Sequence, residues 1–156
     1  MVSETTENYH YQESGLPGVW LAGVRVSKCP GCGETAVSIP AVEQLHLAIA
    51  AVLVSKPQRL APAEIRFLRK YLGLSGVDFA AHMGVTPESV SRWENGAMEM
   101  GTTAERLLRH LVARQAPLDD YKGEVMLRSA TGERAASRLS LQWRRGPKNW
   151  QAGEAA

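Results

Sequence analysis

The chain has only two cysteines in 156 residues, Cys29 and Cys32, which excludes a disulfide-stapled scaffold and leaves stability to an apolar core. Aromatic residues are scarce at 6%, against 44% hydrophobic residues overall. The core is therefore mainly aliphatic, and there is enough of it for one ordinary domain or two small ones. Long apolar runs are missing as well. The longest, from Leu45 to Val54, is broken by His46 and falls well short of the roughly 20 residues that cross a bilayer. The start carries neither the basic region nor the apolar stretch of a secretory signal, so the expected compartment is the reducing cytoplasm. In that compartment a close cysteine pair reads as a metal or redox pair. No nucleophile triad, phosphate-binding loop or complete metal-hydrolase motif is present, and no enzymatic activity is expected. A thiol oxidoreductase would need its Cys-x-x-Cys at the start of a helix in a βαβ unit, whereas here a short strand follows the pair.

The net charge is only +2, but the charges are segregated. Residues 1–58 hold three cations against five acids, 59–116 hold eight against six, and 117–156 hold seven against five. The expected fold is mainly α: a helical bundle over residues 60–115, preceded by a small α+β knuckle domain over 9–56. Residues 1–8 are expected to be a disordered start, and 117–156 a basic tail, disordered or loosely docked. In the first half, Tyr9–Tyr11, Val19–Val26 and Ala36–Ile39 have the composition of short strands. Val19, Leu21, Val24 and Val26 do not alternate cleanly, which leaves that strand's register open. Cys29-Pro30-Gly31-Cys32-Gly33 suits a tight knuckle turn. Pro40 suits the first turn of a helix running to about Ser55, and Lys56-Pro57-Gln58-Arg59 is the expected break between the halves.

From Leu60 the pattern becomes four helices separated by turns. Pro62 opens the first and Gly73 ends it; Ser75 caps a second over Gly76–Met83, closed by Gly84. Thr86 caps a third that begins with Pro87 and ends at Asn95-Gly96, and Thr102 or Thr103 opens a fourth. Two short helices joined by Gly84-Val85-Thr86 have the dimensions of a DNA-reading helix pair. Arg92 is the expected base reader, because a guanidinium matches the two major-groove acceptors of guanine. Ser89, Ser91 and the amides at the helix start suit phosphate contacts. Glu88 is read either as an acceptor for a cytosine amine or as a bystander repelled by phosphate. Leu107, Leu108, Leu111 and Val112 form an apolar face that is read either as a dimer interface or as core.

The stretch Leu68–Gly96, with Phe79-Ala80, Gly84-Val85-Thr86 and Ser91-Arg92-Trp93-Glu94-Asn95-Gly96, resembles the Cro/C1 (XRE) helix-turn-helix family. The resemblance implies an ion pair between Arg69 and Glu94, and base readers at Pro87, Glu88 and Arg92. The DNA-contacting set is then Ser75, Thr86, Pro87, Glu88, Ser89, Ser91, Arg92 and Asn95. One position departs from the family: the phosphate-holding glutamine that opens its second helix is Gly76 here, and Ser75 is the candidate substitute. A two-fold dimer would double the contacts over a palindromic operator in double-stranded DNA.

Cys-Pro-x-Cys in such a turn is half of a tetrahedral zinc site. The nearby candidates for completing it are His10, His46, Glu34 or a second subunit's cysteines. The knuckle-then-Cro layout over residues 9–115, with Tyr9–Leu16 and Glu64–Arg69, resembles the MqsA-type zinc-finger/helix-turn-helix antitoxins. That resemblance implies a homodimeric repressor that regulates its own promoter and binds a cognate toxin through the N-terminal half. The family carries two Cys-x-x-Cys pairs and this chain keeps only the second, so Cys29 and Cys32 are read either as zinc ligands or as an empty or redox-labile pair. The alternative is a stand-alone regulator that senses metal or redox state. In the tail, Arg138, Arg144, Arg145 and Lys148 with Trp143 and Trp150 form a basic aromatic strip, read either as non-specific DNA support or as solvated chain.

Overall fold

A computed structural model describes residues 3–115, 136–145 and 149–153. Strand β1 (Ser3–His10) and the ten-residue β2 (Val19–Lys28) form an antiparallel pair, connected through a short 3-10 turn at Gln12–Ser14. The opposite edge of β2 is shared. β3 (Thr35–Ser38) pairs with Arg25–Lys28, and β4 (Leu139–Trp143) runs parallel to Val19–Ala22 and carries β5 (Trp150–Ala152) on its far side. The irregular alternation of β2 has a local cause. Gly23 adopts φ 72, and the pairing advances from Glu7↔Val24 to Tyr9↔Leu21, so β2 holds one extra residue at a bulge. A bulge shifts the inward face by one residue, and Val19 and Leu21 before it and Val24 and Val26 after it are all buried.

Helix α1 (Val42–Ser55) buries Leu45, Ile49, Ala50, Leu53 and Val54. Pro40 stands two residues outside it rather than in its first turn, since Ala41 takes a left-handed φ of 49 at the cap. Helices α2 (Pro62–Tyr71), α3 (Gly76–Met83), α4 (Pro87–Glu94) and α5 (Thr102–Gln115) follow. Pro62 opens α2, and the Glu64 carboxylate accepts the Ala61 backbone N–H at 2.7 Å.

Two expectations of disorder are corrected. Ser3–Asn8 is not a frayed start but most of β1. Its polar side chains hide it from a periodicity search, and pairing with β2 makes it a strand. Within the expected tail, residues 139–143 and 150–152 are strands of the sheet; Leu139, Leu141 and Trp150 are buried, and the Trp150 indole donates to Pro40 O at 2.9 Å. The rest of that tail, 117–135, 146–148 and 154–156, lies outside the described residues. The expected break at Lys56–Arg59 falls between α1 and α2, and it is tightly held. Arg109, fully buried, donates to the carbonyls of Val54 (3.0 Å), Lys56 (2.6 Å) and Gln58 (2.7 Å) and to Glu105 (2.9 Å). Glu105 also accepts from Arg59 Nε (2.6 Å) and the Leu60 amide (3.0 Å), and Lys56 reaches Glu64 at 2.6 Å. One apolar cluster runs from Val19 and Leu45 through Leu60 and Leu68 to Val90 and Leu108. The sheet and the helical bundle therefore share a core.

Candidate nucleic-acid interface

Helix α3 starts where the Ser75 hydroxyl accepts the Asp78 amide at 3.1 Å. It ends at Gly84, whose φ of 66 lets the Val85 amide return to Ala80 O at 3.0 Å. That left-handed closure turns the chain sharply. Thr86 then caps α4 by accepting the Ser89 amide at 3.3 Å, with Pro87 at the first helical position. Phe79, Ala80, Val90 and Trp93 are buried between the two helices, as their spacing predicts. The remaining side of α4 faces outwards: Pro87, Glu88, Ser91, Arg92 and Asn95 are exposed. Ser89 is half-buried, its hydroxyl 3.2 Å from that of Thr86, so it serves the cap.

Arg69 holds α4 against α2 as a fork. Its Nε meets Glu94 Oε1 at 2.5 Å and its Nη2 meets Oε2 at 3.1 Å, while Nη1 donates to Leu74 O at 2.8 Å. Both partners are largely buried, where such a bidentate pair fixes orientation as well as adding energy. Arg66 is a second tie that the sequence reading did not name. It donates to Asn95 Oδ1 at 2.8 Å and to Glu94 Oε2 at 3.3 Å, and the Asn95 amide donates onward to Ser91 Oγ at 3.3 Å. The signal for it was present, since Arg66 precedes Arg69 by three residues and so lies on the same helix face. Ser75, Pro87, Ser91 and Asn95 come together along one cleft of ≈ 250 Å³, together with Arg66 and Val77. Gly76 has nothing within 4 Å of where a Cβ would stand, so a longer side chain fits there.

Residues 65–111 match the helix-turn-helix family. This stretch is a helix-turn-helix domain of the Cro/C1 type. No curated protein and no solved structure matches the chain. The domain spans most of α2 through most of α5, and such a domain points to a DNA-binding transcription regulator. Among the described residues, no helix is long and apolar enough to cross a membrane.

Away from the helix-turn-helix domain, Cys29 and Cys32 stand at the tip of the β2–β3 hairpin. The tip is closed by Cys29 N–H to Glu34 O and Gly33 N–H to Cys29 O, both 2.9 Å. The Cys29 thiol is held below the usual cysteine range, chiefly by the Cys32 backbone N–H, with help from the Cys32 side chain and the Gly31 N–H. The Glu34 Oε2 carboxylate oxygen is 4.0 Å from Cys32 Sγ. His10 does not join them. It pairs with Trp20 at the other end of β1, stacks on that indole at 4.7 Å and meets Pro17 O at 2.9 Å. Seven strand residues from Ser3, which pairs with Lys28, place it roughly 23 Å from the tip. His46 is engaged by Tyr11 and Phe67 instead. Among the described residues no three His, Cys, Asp or Glu side chains gather in a metal-binding group. The turn is tightly closed, but the chain's described residues do not fit a closed four-ligand zinc site.

The basic aromatic strip also changes character. Arg138, Arg144 and Arg145 are exposed, but Trp150 is buried and meets the half-buried Trp143 edge-on at 5.8 Å. These rings fill the sheet's core and are not a stacking platform for bases. Lys148 lies outside the described residues.

Proposed function

We propose that the chain is a sequence-specific repressor that binds double-stranded operator DNA as a homodimer, and that it is the antitoxin of a toxin–antitoxin pair acting on its own promoter in the cytoplasm. The observation that carries the DNA-binding part is the state of Arg92. It is exposed on α4, on a helix pinned from behind by Arg69 and Arg66. A base reader must be free at its tip and rigid at its root. The capped starts of α3 and α4 supply amides for phosphates, and Ser75, Ser91 and Asn95 stand beside them. The protein acts by binding and not by catalysis.

The homodimer is supported by α5. Leu108 and Val112 are buried, but Leu107 is 39% exposed and Leu111 is half-buried, so the outer half of that apolar face remains for a second copy. The antitoxin role rests on the resemblance of residues 9–115 and gives the sheet half the task of holding the toxin. Fluorescence anisotropy of the protein on its own promoter and on a scrambled duplex tests the reading. A preference of about 10³ or more for the promoter at physiological salt is expected; equal weak binding to both contradicts it.

A second reading, a stand-alone redox-responsive regulator, is favoured by one observation: Cys29 and Cys32 are unbridged, and the Cys29 thiol is the more readily ionised for its backbone bonds. It requires promoter affinity to differ between the reduced and oxidised protein.

A further inference from the structure

The turn Glu13–Gly15 and helix α2 face each other across a cleft of ≈ 280 Å³, which the DNA-reading face does not use. His46, Lys70 and Tyr71 line this cleft and also a neighbouring one of ≈ 470 Å³ that reaches Glu43 and Gln115. Small-ligand sites commonly occupy about 300–1,000 Å³, and the first cleft stands at the small end of that range, the size for a small molecule.

Charge is sorted by side. α2 contributes Arg66 and Lys70, and the turn contributes the Glu13 carboxylate. Lys70 is exposed and has no ion-pair partner among the described residues. Glu13 uses one oxygen to accept the Tyr9 hydroxyl and keeps the other open. Between the two signs the lining is aromatic: Phe67, Tyr71 and the His46 ring, which meets Phe67 edge-on at 5.8 Å. The Tyr11 hydroxyl lies 3.0 Å from His46 Nε2, and burial lowers the His46 pKa, so the ring adds no further charge at neutral pH. A simple anion would meet Glu13, a simple cation would meet Lys70 and Arg66, and an apolar molecule would cover all three charges without partners.

We infer that this cleft binds a small zwitterion of the α-amino-acid class, with its carboxylate on Lys70 and Arg66, its ammonium on Glu13 and its side chain against Phe67 and Tyr71. Arg66 connects the cleft to DNA reading, because the same guanidinium holds Glu94 and Asn95 and lines the cleft along α3 and α4. A ligand carboxylate that draws Arg66 away loosens Asn95 and, through it, Ser91. Ligand occupancy therefore weakens operator binding. This coupling rests on the DNA-binding reading; the ligand site itself does not.

The test is isothermal titration of the full chain, free of DNA, with each of the standard L-α-amino acids. The tightest binder is then compared with its analogues lacking the amino or the carboxylate group. Saturable binding is expected for at least one amino acid, weakened at least about tenfold by loss of either charged group and by either Lys70→Gln or Glu13→Gln. No saturable binding by any of them up to about 10 mM, where affinity is negligible, overturns the site. Undiminished binding by both variants overturns it too. Promoter anisotropy with and without the ligand then reads the coupling. A several-fold weaker promoter affinity is expected, and an unchanged one overturns the role of Arg66. If the protein bound no DNA at all, the calorimetric result would stand unaffected.

Discussion

The helix-turn-helix domain and the hairpin tip differ in how much of their chemistry the chain supplies. On α4 every polar side chain near the root has a partner within the protein: Glu94 with Arg69, Asn95 with Arg66, Thr86 with the Ser89 amide. Only the outward tips are left for a ligand. At the tip of the β2–β3 hairpin the turn is equally well closed, yet two thiols stand with no third donor group among the described residues. The support of α4 is thus complete within the described residues, whereas a metal at the hairpin tip would need donors from outside them.

The contrast breaks most severely where the sheet and the helical bundle are joined. Arg109→Met removes the cation that clasps the end of α1 and leaves buried Glu105 and three backbone carbonyls short of a partner. A loss of about 3 to 5 kcal/mol of stability in urea unfolding is expected, as a single transition because the two regions share one core. Trp150→Ala comes next, at roughly 3 kcal/mol, because that indole is buried. A negligible change would return Leu139–Trp143 and Trp150–Ala152 to a loose tail. Gly76→Gln has a smaller expected effect, a few-fold gain in promoter affinity with little change in the thermal midpoint. Its side chain enters open space and restores the phosphate-holding glutamine that the resemblance implies. Cys29→Ser should change DNA affinity least, by less than about twofold in anisotropy, since the tip joins β2 and β3 outside the helix-turn-helix domain.

The helix pair was legible in the sequence almost residue by residue, because its determinants are local. Ser75, Gly84, Thr86 and Pro87 each act within four positions of themselves, and α3 and α4 begin and end where those residues place them. The sheet was only partly legible. Strand β1 is polar and exposed along Ser3–Asn8, so it carries no alternation, and β4 pairs in parallel with a strand about 120 residues earlier, a partnership that leaves no nearby mark. The bulge at Gly23 broke the alternation of β2 and left its register open in the sequence. Arg109 gave no sign of its role, since a buried arginine on α5 has the same letter and spacing as a solvated one. The cysteine pair was seen, but distance removed His10 from it.

The most direct test of the central claim, that α4 reads bases through Arg92, is a set of anisotropy titrations of the wild type and Arg92→Ala against promoter duplexes substituted one base pair at a time. The variant should lose about 1 to 3 kcal/mol on the intact site and become indifferent to one base pair in each half-site, while keeping its preferences elsewhere. A uniform loss on every duplex, with the base preferences of the wild type intact, would reduce Arg92 to a phosphate contact and contradict the account.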